Sequence, residues 1–211
     1  MSVIKILVAE DHMIVRTGLQ MLLNGYFKPV QVTEVDNTID LISAIKAQEF
    51  DLLILDVHLK DTNSVSFLNL IKTIRPGIKL VFFTMLPEEI YGKRLMGMGA
   101  NGFLSKKCSN NDIVMAVREV LAGQLFMSKN LKDVIAKEAL THQPLSPFET
   151  LSNREFETML MMLDGKNTKE IATGLSVQIT TVGTYKTRLF EKLKVESILD
   201  LNKMAVAYNI I

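Results

Sequence analysis

Leu52-Leu53-Ile54-Leu55-Asp56 sets four consecutive apolar side chains directly before a carboxylate. A strand that faces water on one side alternates apolar and polar residues. An unbroken Leu/Ile run of this length therefore predicts a strand covered on both faces, as in a parallel sheet. Working outward, β-branched or leucine-rich runs recur at Ile4–Ala9, Val30–Val35, 80–84 and 102–104. Between them lie stretches with helical spacing. Residues 13–23 put Ile14, Leu19 and Leu22 on one side, and 39–47, 65–74, 88–98 and Asn110–Leu121 behave similarly. Five strands alternating with five helices predict an α/β domain over residues 1–122, with a parallel sheet covered by helices on both faces.

The rest of the chain is read differently. Gly123 ends the fifth helix, a weakly amphipathic stretch follows at 131–140, and His142-Gln-Pro-Leu-Ser-Pro147 then interrupts any regular element. Residues 123–147 are expected to be a linker holding one short helix. From Phe148 the pattern is all helical. Ser152-Asn-Arg-Glu155 is a capping box, and Asp164-Gly165 stops the helix it starts. Asn167-Thr-Lys-Glu170 begins a second helix, which a turn near Ser176 ends. A third is expected near 180–193 and a fourth at 198–208, giving a small four-helix domain over 148–211.

Composition bounds what such a chain can do. Of 211 residues, 48% are hydrophobic and 22% charged, so the chain folds around real cores and is not disordered. Cys108 is the only cysteine, which excludes an internal disulfide. The opening stretch carries Lys5 and meets Glu10 and Asp11 at once, unlike a signal peptide, and no run approaches the roughly 18 apolar residues of a membrane span. A soluble cytoplasmic protein is expected. The formal net charge is +1, with 13 basic and 13 acidic side chains in residues 1–122, 3 and 2 in 123–147, and 8 and 8 in 148–211. No segment is basic as a whole, so charge alone gives no sign of nucleic-acid binding.

Parallel α/β sheets place their sites beyond the carboxyl ends of the strands. The residues there are Glu10 and Asp11 after the first strand, Asp56 after the third, Thr84 at the end of the fourth and Lys106 after the fifth. Clustered carboxylates repel one another and favour a divalent cation, and oxygen-only ligands point to Mg²⁺ or Mn²⁺. An Asp carboxylate beside such an ion can act as a nucleophile toward phosphorus and form an acyl phosphate. Lys106 and the Thr84 hydroxyl would hold the remaining phosphoryl oxygens.

Glu10-Asp11, Asp56, Thr84 and Gly102-Phe-Leu-Ser-Lys106 resemble the receiver domain of two-component response regulators, over all of residues 1–122. The resemblance implies a five-stranded sheet in the flavodoxin-like order 2-1-3-4-5. It makes Asp56 the phosphoacceptor, fed by a sensor histidine kinase. It assigns Mg²⁺ to Glu10, Asp11, Asp56 and the backbone carbonyl of His58. It also implies that Thr84 moves toward the phosphoryl group and that Phe103, the switch aromatic, follows inward. Lys60, Ser64 and Lys107 depart from the family pattern, which commonly has Pro, Gly and an acid or Pro there. His58 reads either as a group that tunes acyl-phosphate hydrolysis or as a surface imidazole, His12 as a helix-start residue, and Cys108 as inert.

Residues 151–195 resemble the LuxR-type helix-turn-helix of the NarL family, close to its BvgA/EvgA-like branch. The match runs through Leu151-Ser-Asn-Arg-Glu155, Gly165-Lys-Asn-Thr-Lys-Glu-Ile-Ala172, Leu175, Thr181-Val182 and Lys192-Leu-Lys-Val195. Such motifs lay their second helix in the major groove of double-stranded DNA. On the helix near 180–193, Gly183, Thr184 and Thr187 are expected to face bases, and Lys186, Arg188 and Lys169 to face phosphates. Val182, Leu189 and Leu193 read as core. Gly183 stands where the family often has Lys, and Gln178 where it has a capping Ser. The resemblance implies a homodimer on two half-sites, formed through Ile198, Leu201 and Met204 of the last helix; these residues could equally complete the small core.

Two other functions fit part of the pattern. An Asp-nucleophile phosphohydrolase would use a second carboxylate two residues after Asp56, where His58 stands. A DNA-binding regulator indifferent to phosphorylation is compatible with the Lys60 and Ser64 departures.

Overall fold

The computed structural model describes residues 2–59, 62–63, 67–141 and 146–210. Lys60, Ser64 and residues 142–145 of the predicted linker lie outside them.

The strands follow the apolar runs. β1 (Ile4–Ala9), β2 (Val30–Val35), β3 (Leu52–Leu55), β6 (Lys79–Thr84) and β7 (Gly102–Ser105) form one parallel sheet in the order β2-β1-β3-β6-β7. β4 (His58–Leu59) and β5 (Thr62–Asn63) make a separate antiparallel pair, too short to leave a periodic trace in the sequence. With that pair set aside, the order is 2-1-3-4-5. β3 sits in the middle of the sheet and is buried on both faces as its composition requires. Leu53 and Leu55 enter one core, Leu52 and Ile54 the other. Each such side chain contributes about 1.5–3 kcal/mol on burial.

Helices cover the two faces unequally. α1 (Met13–Tyr26) and α5 (Asn110–Leu121) pack on one, through Leu19, Leu23, Ile113, Val117 and Val120. α2 (Thr38–Ala47), α3 (Phe67–Ile74) and α4 (Glu88–Gly97) pack on the other. Ile14 corrects the reading of α1: it is 82% exposed, and Val15, Leu19, Leu22 and Leu23 form the inward face instead. Val15, Leu19 and Leu22 have the i, i+4, i+7 spacing of one helix face, whereas Ile14 lies five residues before Leu19, about 140° round the helix.

α6 (Lys129–Thr141) lies against α4, and a 3-10 turn (Pro147–Thr150) leads into the C-terminal helices. These are α7 (Asn153–Leu163), α8 (Thr168–Leu175), α9 (Ile179–Leu193) and α10 (Ile198–Ala207). The capping box read from the sequence is formed, and the second helix start closes in the same way. Glu155 N donates to Ser152 Oγ at 3.3 Å and Ser152 N to Glu155 Oε2 at 2.8 Å. Asn167 and Glu170 exchange the same pair of bonds. Gly165, at φ 75°, adopts the left-handed turn that ends α7. Val182, Leu189 and Leu193 are buried as expected.

Candidate functional site

The parallel arrangement brings the ends of β1, β3, β6 and β7 to one rim. Glu10 is 1% exposed, Asp56 4% and Thr84 1%. Lys106 Nζ lies 2.8 Å from Asp56 Oδ2 and 2.6 Å from Glu10 Oε2. Burial alone would lower the Lys106 ammonium, but the two carboxylates outweigh it and hold it above the ordinary lysine value. Of the five residues read from strand ends, Glu10, Asp56 and Lys106 meet directly, and Thr84 is tied to Lys106 through the backbone, Lys106 N donating to Thr84 O at 2.8 Å. Thr84 Oγ1 accepts a long bond of 3.4 Å from Leu86 N. Phe103, which the sequence reading names as the switch aromatic, is fully buried and pairs in register with Phe82.

Two carboxylate oxygens in the pocket, Glu10 Oε2 and Asp11 Oδ1, are buried and accept no well-aligned hydrogen bond among the described residues. Their near neighbours are charges or a ring nitrogen: Lys106 Nζ, and His12 Nδ1 at 2.7 Å from Asp11 Oδ1. Ligand-capable atoms of Glu10, Asp11, His12 and Asp56 lie within 4.8 Å of one another. Three carboxylates gathered this closely, with one ammonium among them, carry more negative charge than Lys106 can offset and fit a divalent cation. The His58 backbone, which the sequence reading adds to the ligand set, lies in β4 two residues after Asp56.

In the C-terminal domain, Lys169, Gly183, Thr184, Lys186, Thr187 and Arg188 are all exposed. Thr184 Oγ1 and Thr187 Oγ1 donate back to the carbonyls of Thr180 and Gly183, and Lys186 Nζ lies 5.5 Å from the Phe190 ring. Gln178 stands at the start of α9 without capping it. Leu201 is 0% exposed and packs in the same core cluster as Ala205, so it takes the other of the two roles read for this helix, completing the core. Ile198, at 44%, and Leu199, at 62%, face outward, and Met204 is half-buried.

One constellation escaped the sequence reading. Arg94 of α4 donates to the carbonyls of Phe148 and Leu151 at 3.0 and 2.8 Å and to Asn153 Oδ1 at 2.8 Å. Its guanidinium lies 4.3 Å over the Phe156 ring, which Tyr91 meets edge-on at 5.3 Å. Lys93 pairs with Glu138 of α6 and, at 3.1 Å, with Glu149 of the 3-10 turn. The hydrogen-bonded pairs lie 45 to 59 positions apart in sequence and the ring contacts further still, and no local spacing announces them. Together they tie the helix that follows Thr84 to the entrance of the helical domain.

Comparison with known proteins agrees with this geometry. Residues 6–118 match the family described as the response regulator receiver domain, and residues 149–205 match the bacterial regulatory proteins of the luxR family. Similar relatives include the response regulator GacA of Pseudomonas aeruginosa, 31% identical over 99% of this chain and 98% of that protein. Another is the fimbriae Z protein of Escherichia coli K12, 31% identical over 98% of each. Among solved structures, RcsB from Salmonella enterica serovar Typhimurium, bound to promoter rprA in the presence of phosphomimetic BeF3⁻, aligns with a TM-score of 0.80 at 21% identity, covering 96% of this chain and 98% of that one. No described helix is long and apolar enough to cross a membrane. A receiver match across more than half the chain, joined to a luxR-type module and to relatives matched end to end, makes this chain a member of the response-regulator family with a receiver domain and a luxR-type DNA-binding domain.

Proposed function

We propose that this protein is a cytoplasmic transcriptional regulator switched by phosphorylation of Asp56 from a sensor histidine kinase. The observation that carries this reading is Lys106 bridging Asp56 and Glu10 at the rim where Thr84 also ends. Lys106 holds Asp56 Oδ2. The other carboxylate oxygen attacks phosphorus, the phosphorus–nitrogen bond to the kinase histidine breaks, and the imidazole leaves. Glu10, Asp11, Asp56 and the His58 carbonyl would hold Mg²⁺, or Mn²⁺, which offsets charge on the incoming group. Lys106 and Thr84 then bind the phosphoryl oxygens, and Phe103 fixes the adjoining face. The chain takes the phosphoryl group once and is not a turnover enzyme.

Residues 1–122 serve as the receiver, 123–147 as the connection and 148–211 as the DNA-binding unit. α9 enters the major groove with Gly183, Thr184 and Thr187 toward bases and Lys186, Arg188 and Lys169 toward phosphates. RcsB dimers are solved on DNA, and a homodimer on two half-sites is the matching arrangement here, with Ile198 and Met204 on the α10 side. Incubation with a small phosphodonor and Mg²⁺ tests the reading by intact mass. Stable addition of one phosphoryl group that Asp56→Asn abolishes is expected. Steady hydrolysis of a phosphate ester would make the chain a hydrolase instead, and absence of labelling would leave a regulator indifferent to phosphate.

A further inference from the structure

His12 stands at the N-terminal boundary of α1, as a helix-start residue should, but its side chain caps nothing. The ring turns toward the acidic pair instead. Its Nδ1 lies 2.7 Å from Asp11 Oδ1 and 3.0 Å from Glu10 Oε1. One ring nitrogen carries at most one proton and cannot satisfy both oxygens together. One of the two, Asp11 Oδ1, accepts no well-aligned hydrogen bond among the described residues. The backbone is bent to the same purpose, because His12 N also donates to Glu10 Oε1 at 3.0 Å and so fixes the ring's origin beside the carboxylates.

We infer that His12 adds an imidazole ligand to the divalent-cation pocket and makes it prefer imidazole-binding transition ions, of the Co²⁺ or Ni²⁺ kind, over Mg²⁺. This rests on the reading of Glu10, Asp11 and Asp56 as a cation site. The separations fit. Two donors on opposite sides of an ion with bonds of about 2.1 Å stand about 4.2 Å apart, and the four candidate donor atoms lie within 4.8 Å of one another. The chemistry discriminates as well. Mg²⁺ takes oxygen donors and keeps its waters, so an imidazole adds little. The affinity of mixed nitrogen and oxygen sites rises from Mn²⁺ through Co²⁺ to Ni²⁺. The His12 side chain is 68% exposed, so solvent and its ions reach the ring.

The test uses the full chain and calorimetric titration with MgCl₂ and CoCl₂, for wild type, His12→Gln and Asp11→Asn. His12→Gln is expected to weaken Co²⁺ binding by about tenfold or more while Mg²⁺ changes less than about twofold. Asp11→Asn is expected to weaken both. Pulsed EPR of bound Mn²⁺ should show coupling to a ring nitrogen in wild type and in His58→Gln, and none in His12→Gln. Equal losses for both ions, no loss, or a nitrogen signal that survives His12→Gln overturns the assignment of His12. A wild type that binds neither ion, or binds both regardless of Asp11→Asn, overturns the cation pocket itself.

Discussion

Lys106 is the residue on which the receiver site balances. Glu10 and Asp56 are almost wholly buried, and the ammonium between them is their common partner. Lys106→Met would leave two carboxylates facing each other out of water, a change that costs about 3 kcal/mol or more. A divalent cation can replace the lost charge. The variant should therefore melt at lower urea than wild type without metal, and millimolar Mg²⁺ should restore more stability to it than to wild type. Equal response of both proteins to Mg²⁺ would contradict this. Cys108 shows the opposite case of a group kept out of chemistry: burial, helped by Asp112, pushes its thiol up to about 11, so alkylation at neutral pH should be slow. The pocket residues were readable in the sequence because a parallel sheet turns strand-end positions into neighbours. Leu201 was not, because a ten-residue helix with apolar residues on several sides does not say which side meets its own core.

The recognition helix α9 shows what an element can reveal and conceal. Its buried stripe follows from spacing, and so does its weak start, since Gln178 offers no side-chain cap. A Cβ at Gly183 would meet nothing within 4 Å, so the glycine is not demanded by packing. Gly183→Ala should stabilise α9 by about 0.5–1 kcal/mol, and Gln178→Ser by about 1 kcal/mol. Amide exchange across 179–186 measures both directly. Unchanged exchange would show that α9 is already as firm as the core. The short pair β4 and β5 stayed hidden for a different reason: two residues per strand carry no period.

At the scale of the molecule, the near-zero net charge is two opposed sites averaged. Carboxylates collect at the receiver rim, while Lys186, Arg188, Lys192 and Lys194 lie along or just after α9. Lys186→Ala should weaken binding to all DNA sequences alike and lower the salt-dependence slope by about one, whereas loss on one sequence only would place Lys186 at a base. Between the sites runs the junction made by Tyr91, Lys93 and Arg94. Arg94→Ala removes three charge-assisted bonds and a cation–π contact, about 2–4 kcal/mol of docking. It should speed proteolysis between α6 and α7 while leaving Asp56 labelling intact.

The same junction carries a pH dependence. Burial, reinforced by a hydrogen bond with Glu138, raises the Glu149 carboxyl, and Lys93 opposes this. A carboxyl raised in the docked state binds its proton more tightly there than when free. Docking through Glu149 should therefore strengthen as pH falls from neutrality toward the ordinary carboxylate value of 4.5, and Glu149→Gln should remove that dependence. Cleavage rates of the connection across this range check the sign. Contacts between segments so distant in sequence were beyond any periodic reading, although the helices that carry them were not.

A phosphoryl group on Asp56 is expected to be felt at α9. Fluorescence anisotropy of the full chain on DNA carrying two half-sites, with and without a small phosphodonor and Mg²⁺, measures it most directly. The prediction is tighter, two-copy binding after phosphorylation in wild type and no response in Asp56→Asn. An equal response of both proteins to the phosphodonor, or none in a wild type shown by mass to be phosphorylated, would contradict it.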